Sequence, residues 1–376
     1  MLNPIAIAVP FFFVLIGGEL LWAKRKKRVV YRFVDAVTDI SCGMASQIGL
    51  ALYGVVIFGI YIALYAHRLV TIHAVWAQWL VAFFAVDFVY YWWHRASHEV
   101  NFMWAAHVVH HQSEDYNLAV ALRQALLTSF TILPFHAPLA LLGIPPIVFA
   151  TTYALSTLYQ FWIHTELMPK VGGIADKVLN LPHHHRVHHA INPRYLDKNY
   201  AATLIVWDRL FGTYEDETEP CVYGITKPLG SFNPLWAQVH YFFDMAELWK
   251  KSSGLEKLKA IYASPAWKPR AWEPSPARDL SPASYSKFSV YASKLTKRYV
   301  AVQYVLVLVG TFLVMAFGAQ MSMTVLLLAS ASVLLALASL GGLLEHKSWA
   351  PPVEAARLVL GGSALAMVLV ARFYMK

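Results

Sequence analysis

Charge is scarce in this chain. Only 14% of its 376 residues are Asp, Glu, Lys or Arg, against 58% hydrophobic ones, where a soluble protein of this size carries roughly 25% charged residues. With a mean hydropathy of +0.46, that shortfall excludes a freely soluble globular enzyme and demands a second, apolar solvent. Acidic side chains are the scarcer sign, 22 against 31 basic ones, for a net charge of +9. This excess does not point to nucleic acid, because basic residues flank apolar runs, where anionic lipid heads and the positive-inside rule place them. Cysteine is nearly missing: Cys42 lies in an apolar run and Cys221 in a polar stretch. There is therefore no disulfide framework and no CxxC metal motif, and the working end is expected in a reducing compartment. No basic region precedes the apolar run from Pro4 to Ala23, and KRKKR (Lys24 to Arg28) follows it. That order predicts a first membrane helix with a cytoplasmic C-terminal end rather than a cleavable signal. No internal repeat is visible.

Long apolar runs are what the chain has instead. After the first come runs at about Asp35–Tyr65, Val75–Trp93, Ala125–Leu142 and Ile147–Ile163. Three more lie near Val300–Phe317, Met323–Leu344 and Ala355–Ala371. Starting from cytoplasmic KRKKR, the third span delivers HRASH (His94 to His98) to the cytoplasmic side. The next two, broken by Gly143-Ile144-Pro145-Pro146, form a hairpin that returns His164 to that side. The expected fold is all-α, a multi-pass transmembrane helical bundle with a histidine-ligated di-metal site at its cytoplasmic face. Its expected organisation is a membrane helix with basic flank over 1–30, a membrane-embedded catalytic domain over 31–250, a Pro-rich cytoplasmic linker over 251–298, and a three-helix membrane region over 299–376.

Twelve of the 16 histidines fall between His94 and His189. His94 and His98 are spaced i, i+4, and His107, His110 and His111 form HxxHH. His185, His188 and His189 repeat HxxHH, and each group shares one helical face. Imidazole is a common ligand of transition metals, so eight such groups suffice to cage two ions. His164, in FWIHTE at the end of a span, is a candidate ninth ligand. Metal-bound imidazoles pass their other N–H to a carboxylate or carbonyl, and Asp87, Glu114, Asp115, Glu166, Asp208 and His184 are candidate partners, with Glu99 a further carboxylate. Asp87 stands out because a carboxylate inside an apolar span is costly without a partner. Aromatic side chains around the first box (Tyr90, Tyr91, Trp92, Trp93, Phe102, Trp104) and before His164 (Tyr159, Phe161, Trp162) suit a lipid-lined site. His136 reads as structural, and His67, His73, His240 and His346 carry no role.

The boxes HRASH, HVVHH and HRVHH resemble those of the fatty acid hydroxylase / sterol desaturase superfamily. The strings SEDYNLA, FWIHTE and DKNYA beside them look like its alkylglycerol monooxygenase branch, over roughly residues 30 to 250. The resemblance implies two iron ions as cofactors, a donor set that also accepts zinc, O2 as co-substrate and a tetrahydropterin as electron donor. The implied reaction is hydroxylation of the ether-linked carbon of an alkylglycerol, giving fatty aldehyde and a glycerol derivative. The alternative enzyme reading is a sterol, fatty-acyl or carotenoid hydroxylase or desaturase served by a redox-protein donor. A divalent-metal transporter is disfavoured, because its ligands line a path near the bilayer midplane whereas these gather at one face. Placement in a bacterial inner membrane or the endoplasmic reticulum follows, with a membrane lipid as partner.

Overall fold

The computed structural model describes residues 4–272 and 284–374. Among these the chain is helical and forms no strand, only two isolated bridges, Leu179 with Leu204 and Ala190 with Tyr223. Helix α1 (Pro4–Arg25) ends in Lys24 and Arg25. Helix α2 (Phe33–Ala66) has 34 residues, about 51 Å at 1.5 Å per residue, so it overshoots a hydrocarbon core of roughly 30 Å. Its first turns, with Asp35 and Asp39 buried, lie against protein rather than lipid. Helix α3 (Val75–Glu99) carries the first histidine box at its C-terminal end. The short helices α4 (Asn101–Ala105) and α5 (Val108–His111) follow.

Helices α6 (Thr128–Leu141) and α7 (Pro146–Trp162) form the expected hairpin but are only 14 and 17 residues long. At about 21 and 26 Å neither matches the roughly 30 Å core; prolines at 134, 138, 145 and 146 limit the run. Their turn depends on Gly143. Its φ is +86°, and a Cβ there would sit 2.1 Å from the Val70 carbonyl oxygen, a conformation and approach that only glycine tolerates. Among the described residues, five helices are long and apolar enough to cross a membrane: α1, α2, α3, α13 (Lys294–Phe317) and α14 (Met323–Leu344).

Between hairpin and C-terminal helices lie α8 (Ile174–Val178), α9 (Pro182–His189), α10 (Val206–Phe211), α11 (Pro234–Lys251) and α12 (Glu256–Tyr262). Helix α12 falls inside the expected linker, whose residues 273–283 lie outside the described ones. Helix α15 (Ala350–Tyr374) closes the chain. The C-terminal helices share a core with α2: Met44, Ala45 and Ile48 pack with Val300, Tyr304, Val307 and Leu337.

A buried polar layer ties α2 to the second histidine box. Arg123 is 2% exposed, and its guanidinium donates to Asp39 (3.0 Å), to the Val109 carbonyl (2.7 Å) and to Gln112 (2.7 Å). Ser113 donates to Asp35 at 2.6 Å. Asp115 accepts from Arg32 and Lys287, and Glu114 accepts from the Tyr285 hydroxyl and the Phe288 amide. The string SEDYN therefore clamps the start of α2 and the chain ahead of α13 around the site.

Candidate metal centre

Four pieces of chain deliver the imidazoles. His94 and His98 come from the last turns of α3, and His107 caps the single turn of α5 that carries His110 and His111. His164 stands just past the end of α7, and His185, His188 and His189 lie on α9, which opens on Pro182 at its first position, where proline fits a helix. All nine are buried. They fall into two sets whose candidate ligand atoms lie within 4.8 Å of one another: His94, His98, His107, His111 and His188 in one, His110, His164, His185 and His189 in the other. The sets are in contact, with the rings of His111 and His189 stacked at 4.4 Å between centroids.

The orientation of four rings is fixed by backbone. Nδ1 of His94 donates to the Tyr200 carbonyl (2.7 Å), that of His110 to Arg123 (2.9 Å), that of His164 to Gln160 (2.7 Å) and that of His188 to Lys198 (2.9 Å). A carbonyl can only accept, so each of these Nδ1 atoms holds the proton and each Nε2 presents a bare lone pair. Burial pushes the His110 imidazole down to about 4 and lowers His107, His111, His164, His185, His188 and His189. They are neutral near pH 7, the form in which imidazole binds metal. The Nε2 atoms of His110 and His164 stand 3.3 Å apart with no proton left to share. Nε2 of His98, His188 and His189 are buried without any hydrogen-bond partner, which is costly unless another species is bound there. These donor atoms fit transition-metal cations.

A third cluster does not fit. Asp176, His183 and His184 also approach one another. However, His184 Nδ1 accepts from the Leu181 amide at 3.2 Å, so its Nε2 carries the proton and faces Asp176 at 3.2 Å. His183 Nε2 lies 2.7 Å from the same carboxylate oxygen. Asp176 thus accepts the His183 N–H and moors the start of α9, while His184 Nε2 lies near the same carboxylate without a hydrogen bond to it. Burial lowers His183 and pushes His184 down to about 3, which keeps both neutral.

The carboxylates named from sequence lie outside contact with the nine rings. Asp87 accepts from the Thr203 and Leu204 amides and the Trp207 indole. Asp208, pushed up to about 6 by burial, accepts from the Tyr200 and Ala201 amides and the Thr213 hydroxyl. It therefore holds the segment whose Tyr200 carbonyl orients His94. Glu114 and Asp115 belong to the clamp on α2, Glu166 pairs with Arg28 at 3.4 Å, and Glu99 with Arg95 at 2.9 Å. Among the described residues, the carboxylate beside a boxed ring is Asp197, 3.6 Å from His98 Nδ1. Sequence reasoning missed the four carbonyls, which have no side-chain signature. It also missed Arg123, whose signal was a lone cation between SEDYNLA and an apolar run.

Among the described residues, a cavity reaches the cluster from each of two sides, and the pair share no lining residue. One, of about 180 Å³, is walled by α1, α2, α7 and α13 and touches His107, His110 and His164, with Tyr90, Trp93 and Phe161 along it. The other, of about 570 Å³, touches His98, His111, His188 and His189 and is lined by Trp104, Asp197, Asp244 and Glu247. The first is largely apolar; the second carries charge of both signs.

A fatty acid hydroxylase family profile matches residues 79–213. The chain is 39% identical over 361 residues to an alkylglycerol monooxygenase of Homo sapiens, covering 94% of this chain and 80% of that protein. The Danio rerio alkylglycerol monooxygenase is 39% identical over 364 residues, with the same coverage. An ornithine lipid hydroxylase of Rhizobium tropici is 29% identical over 150 residues, 38% of this chain and 45% of that one. No solved structure matches the chain.

Proposed function

The chain belongs to the alkylglycerol monooxygenase family, and on that premise we propose that it is a membrane di-iron monooxygenase hydroxylating the ether-linked carbon of an alkylglycerol with O2 and a tetrahydropterin. The reading rests on the nine facing imidazoles and on the two separate cavities that reach them.

His94, His98, His107, His111 and His188 would hold one ion, and His110, His164, His185 and His189 the other. When bound, such a pair supplies an oxidant for an unactivated C–H bond, which no side chain provides. The protein's own groups do the rest. The carbonyls of Tyr200, Arg123, Gln160 and Lys198 hold four rings in one tautomer. The apolar cavity receives the lipid at His107, His110 and His164, and its walls exclude water from the reacting carbon. In the wider cavity, Asp197, Asp244 and Glu247 offer acceptors for the N–H edge of a pterin, with Trp104 beside it.

The balance is simple. The ether, O2, and two electrons with two protons from the tetrahydropterin give the hydroxylated ether, water and a dihydropterin. The product is a hemiacetal; its C–O bond to glycerol breaks as the hydroxyl proton passes to the glycerol oxygen, releasing fatty aldehyde. A C–H bond beside an ether oxygen is weaker than an isolated methylene C–H, which suits this position. The wider cavity faces the cytoplasm in this reading, because KRKKR follows α1 and Arg28 of that run pairs with Glu166, two residues from His164.

The test is iron-loaded purified protein with an alkylglycerol, O2 and tetrahydropterin, followed for fatty aldehyde. Turnover of a sterol or fatty-acyl lipid with a redox-protein donor, and none of the ether, would overturn the substrate and donor while leaving the oxygenase.

A further inference from the structure

Helix α11 turns one face to the wider cavity. His240, Asp244 and Glu247 all line it, and their spacing of i, i+4 and i+7 stacks them along one side of the helix. Exposure rises along that row: His240 is 8% exposed, whereas the side chains of Asp244 and Glu247 are 25% and 50% exposed. His240 is therefore the innermost of the three, and it meets Gln112, the residue that follows His111.

The His240 ring is aimed from behind. Arg123 donates to Oε1 of Gln112 at 2.7 Å, and a guanidinium only donates, so the Gln112 amide nitrogen faces the other way. It donates to the Ala237 carbonyl at 3.1 Å. His240 Nδ1 lies 3.2 Å from the same oxygen; a carbonyl only accepts, so Nδ1 carries the proton. Two donors converging on one oxygen also account for the 3.3 Å between Gln112 Nε2 and His240 Nδ1. Nε2 of His240 is then a bare lone pair with no bond to any described residue, and burial lowers the imidazole, which keeps it neutral. Buried partners thus hold the ring in one tautomer and leave its acceptor open in the cavity.

Resting on the reading of the wider cavity as the tetrahydropterin site, we propose that His240 Nε2 accepts the N–H at ring position 5 of the pterin and so distinguishes the reduced form from the oxidised one. A tetrahydropterin has two kinds of N–H. Those of the aminopyrimidine edge are paired and persist through oxidation, and they suit the carboxylates further out, since a carboxylate can take two parallel N–H groups. The N–H at position 5 stands on the ring that gives up electrons, the part that has to approach the histidines. In a 7,8-dihydropterin that nitrogen is an imine with an outward lone pair. Against Nε2 it sets lone pair to lone pair, so the hydrogen bond of the reduced form becomes a repulsion. The cavity retains the reductant and releases its oxidised product.

The experiment measures equilibrium binding of tetrahydropterin and of 7,8-dihydropterin, without O2, to the iron-loaded full-length protein in nanodiscs. Wild type is expected to bind the tetrahydropterin about tenfold more tightly, the scale of one hydrogen bond to a buried group. His240→Phe is expected to erase that gap by weakening the tetrahydropterin alone. Asp244→Ala is expected to weaken both pterins alike, because the N–H edge it meets is common to them. If His240→Phe does not fold, His240→Leu carries the same comparison. A wild type that binds both pterins equally, a His240 variant that weakens both alike, or a gap that survives it while Asp244→Ala weakens both, overturns the role of His240 alone. A wild type that binds neither pterin, or binding that neither substitution moves, overturns the reading of the cavity and the proposal with it.

Discussion

His110 and His164 aim their Nε2 atoms at each other across 3.3 Å while each donates its Nδ1 proton to a backbone carbonyl. Two neutral imidazoles so fixed present lone pair to lone pair, an arrangement that a cation bound between them relieves. His164→Ala is therefore expected to cut metal content from two ions per chain toward one, because the set of His110, His164, His185 and His189 falls to three donors. Metal analysis of purified protein measures this, and turnover should fall to background while membrane insertion persists. Undiminished metal content would remove His164 from the ligands.

Arg123 joins α2, the second histidine box and His110, since its side chain binds Asp39 and its carbonyl takes the His110 proton. Removing one partner of a buried ion pair costs about 3–5 kcal/mol, whereas replacing both with apolar groups is often neutral. Arg123→Met alone should lower the thermal midpoint markedly, and adding Asp39→Leu should restore much of it. Thermal unfolding in detergent decides this; if the double variant is no more stable than the single one, the pair is not what holds the layer together.

Asp208 shows what was legible in the sequence and what was not. The three boxes could be read because helical spacing leaves a side-chain signature, and the long apolar runs announced the membrane helices. The groups that orient the rings left no such signature, because every residue has a carbonyl. Asp87 looked like a partner of His94 from its place two turns earlier, yet its carboxylate holds the amides of residues 203 and 204. The cavity wall supplied by α13 could not be read either, since Leu308 and Phe312 come to the cavity that His164 also lines only through long-range packing. Asp208 works one step removed: its two oxygens hold the Tyr200 and Ala201 amides, and Tyr200 in turn holds His94. An asparagine there sets an NH2 against a backbone N–H. Asp208→Asn should weaken metal affinity about 10- to 100-fold with little loss of helicity. Competitive chelation together with circular dichroism measures both, and unchanged affinity would confine Asp208 to folding.

The two cavities share no residue and meet different histidines, so the proposal of lipid in one and tetrahydropterin in the other predicts that both are bound together, which kinetics can test. Initial rates at varied lipid and tetrahydropterin should give intersecting double-reciprocal lines, the pattern of a ternary complex, and neither ligand should inhibit competitively against the other. Substitutions should separate the two as well. Thr311 is 3% exposed and donates only to the Val307 carbonyl of its own helix, so Thr311→Phe loses little bonding but fills space in the apolar cavity. It should raise KM for lipid several-fold and leave that for the pterin. Asp244 lines the other cavity and pairs with Lys227 at 2.6 Å, and Asp244→Ala should raise KM for the pterin and leave that for lipid. Parallel lines, or a single substitution that moves both constants together, would mean that one site serves both ligands in turn.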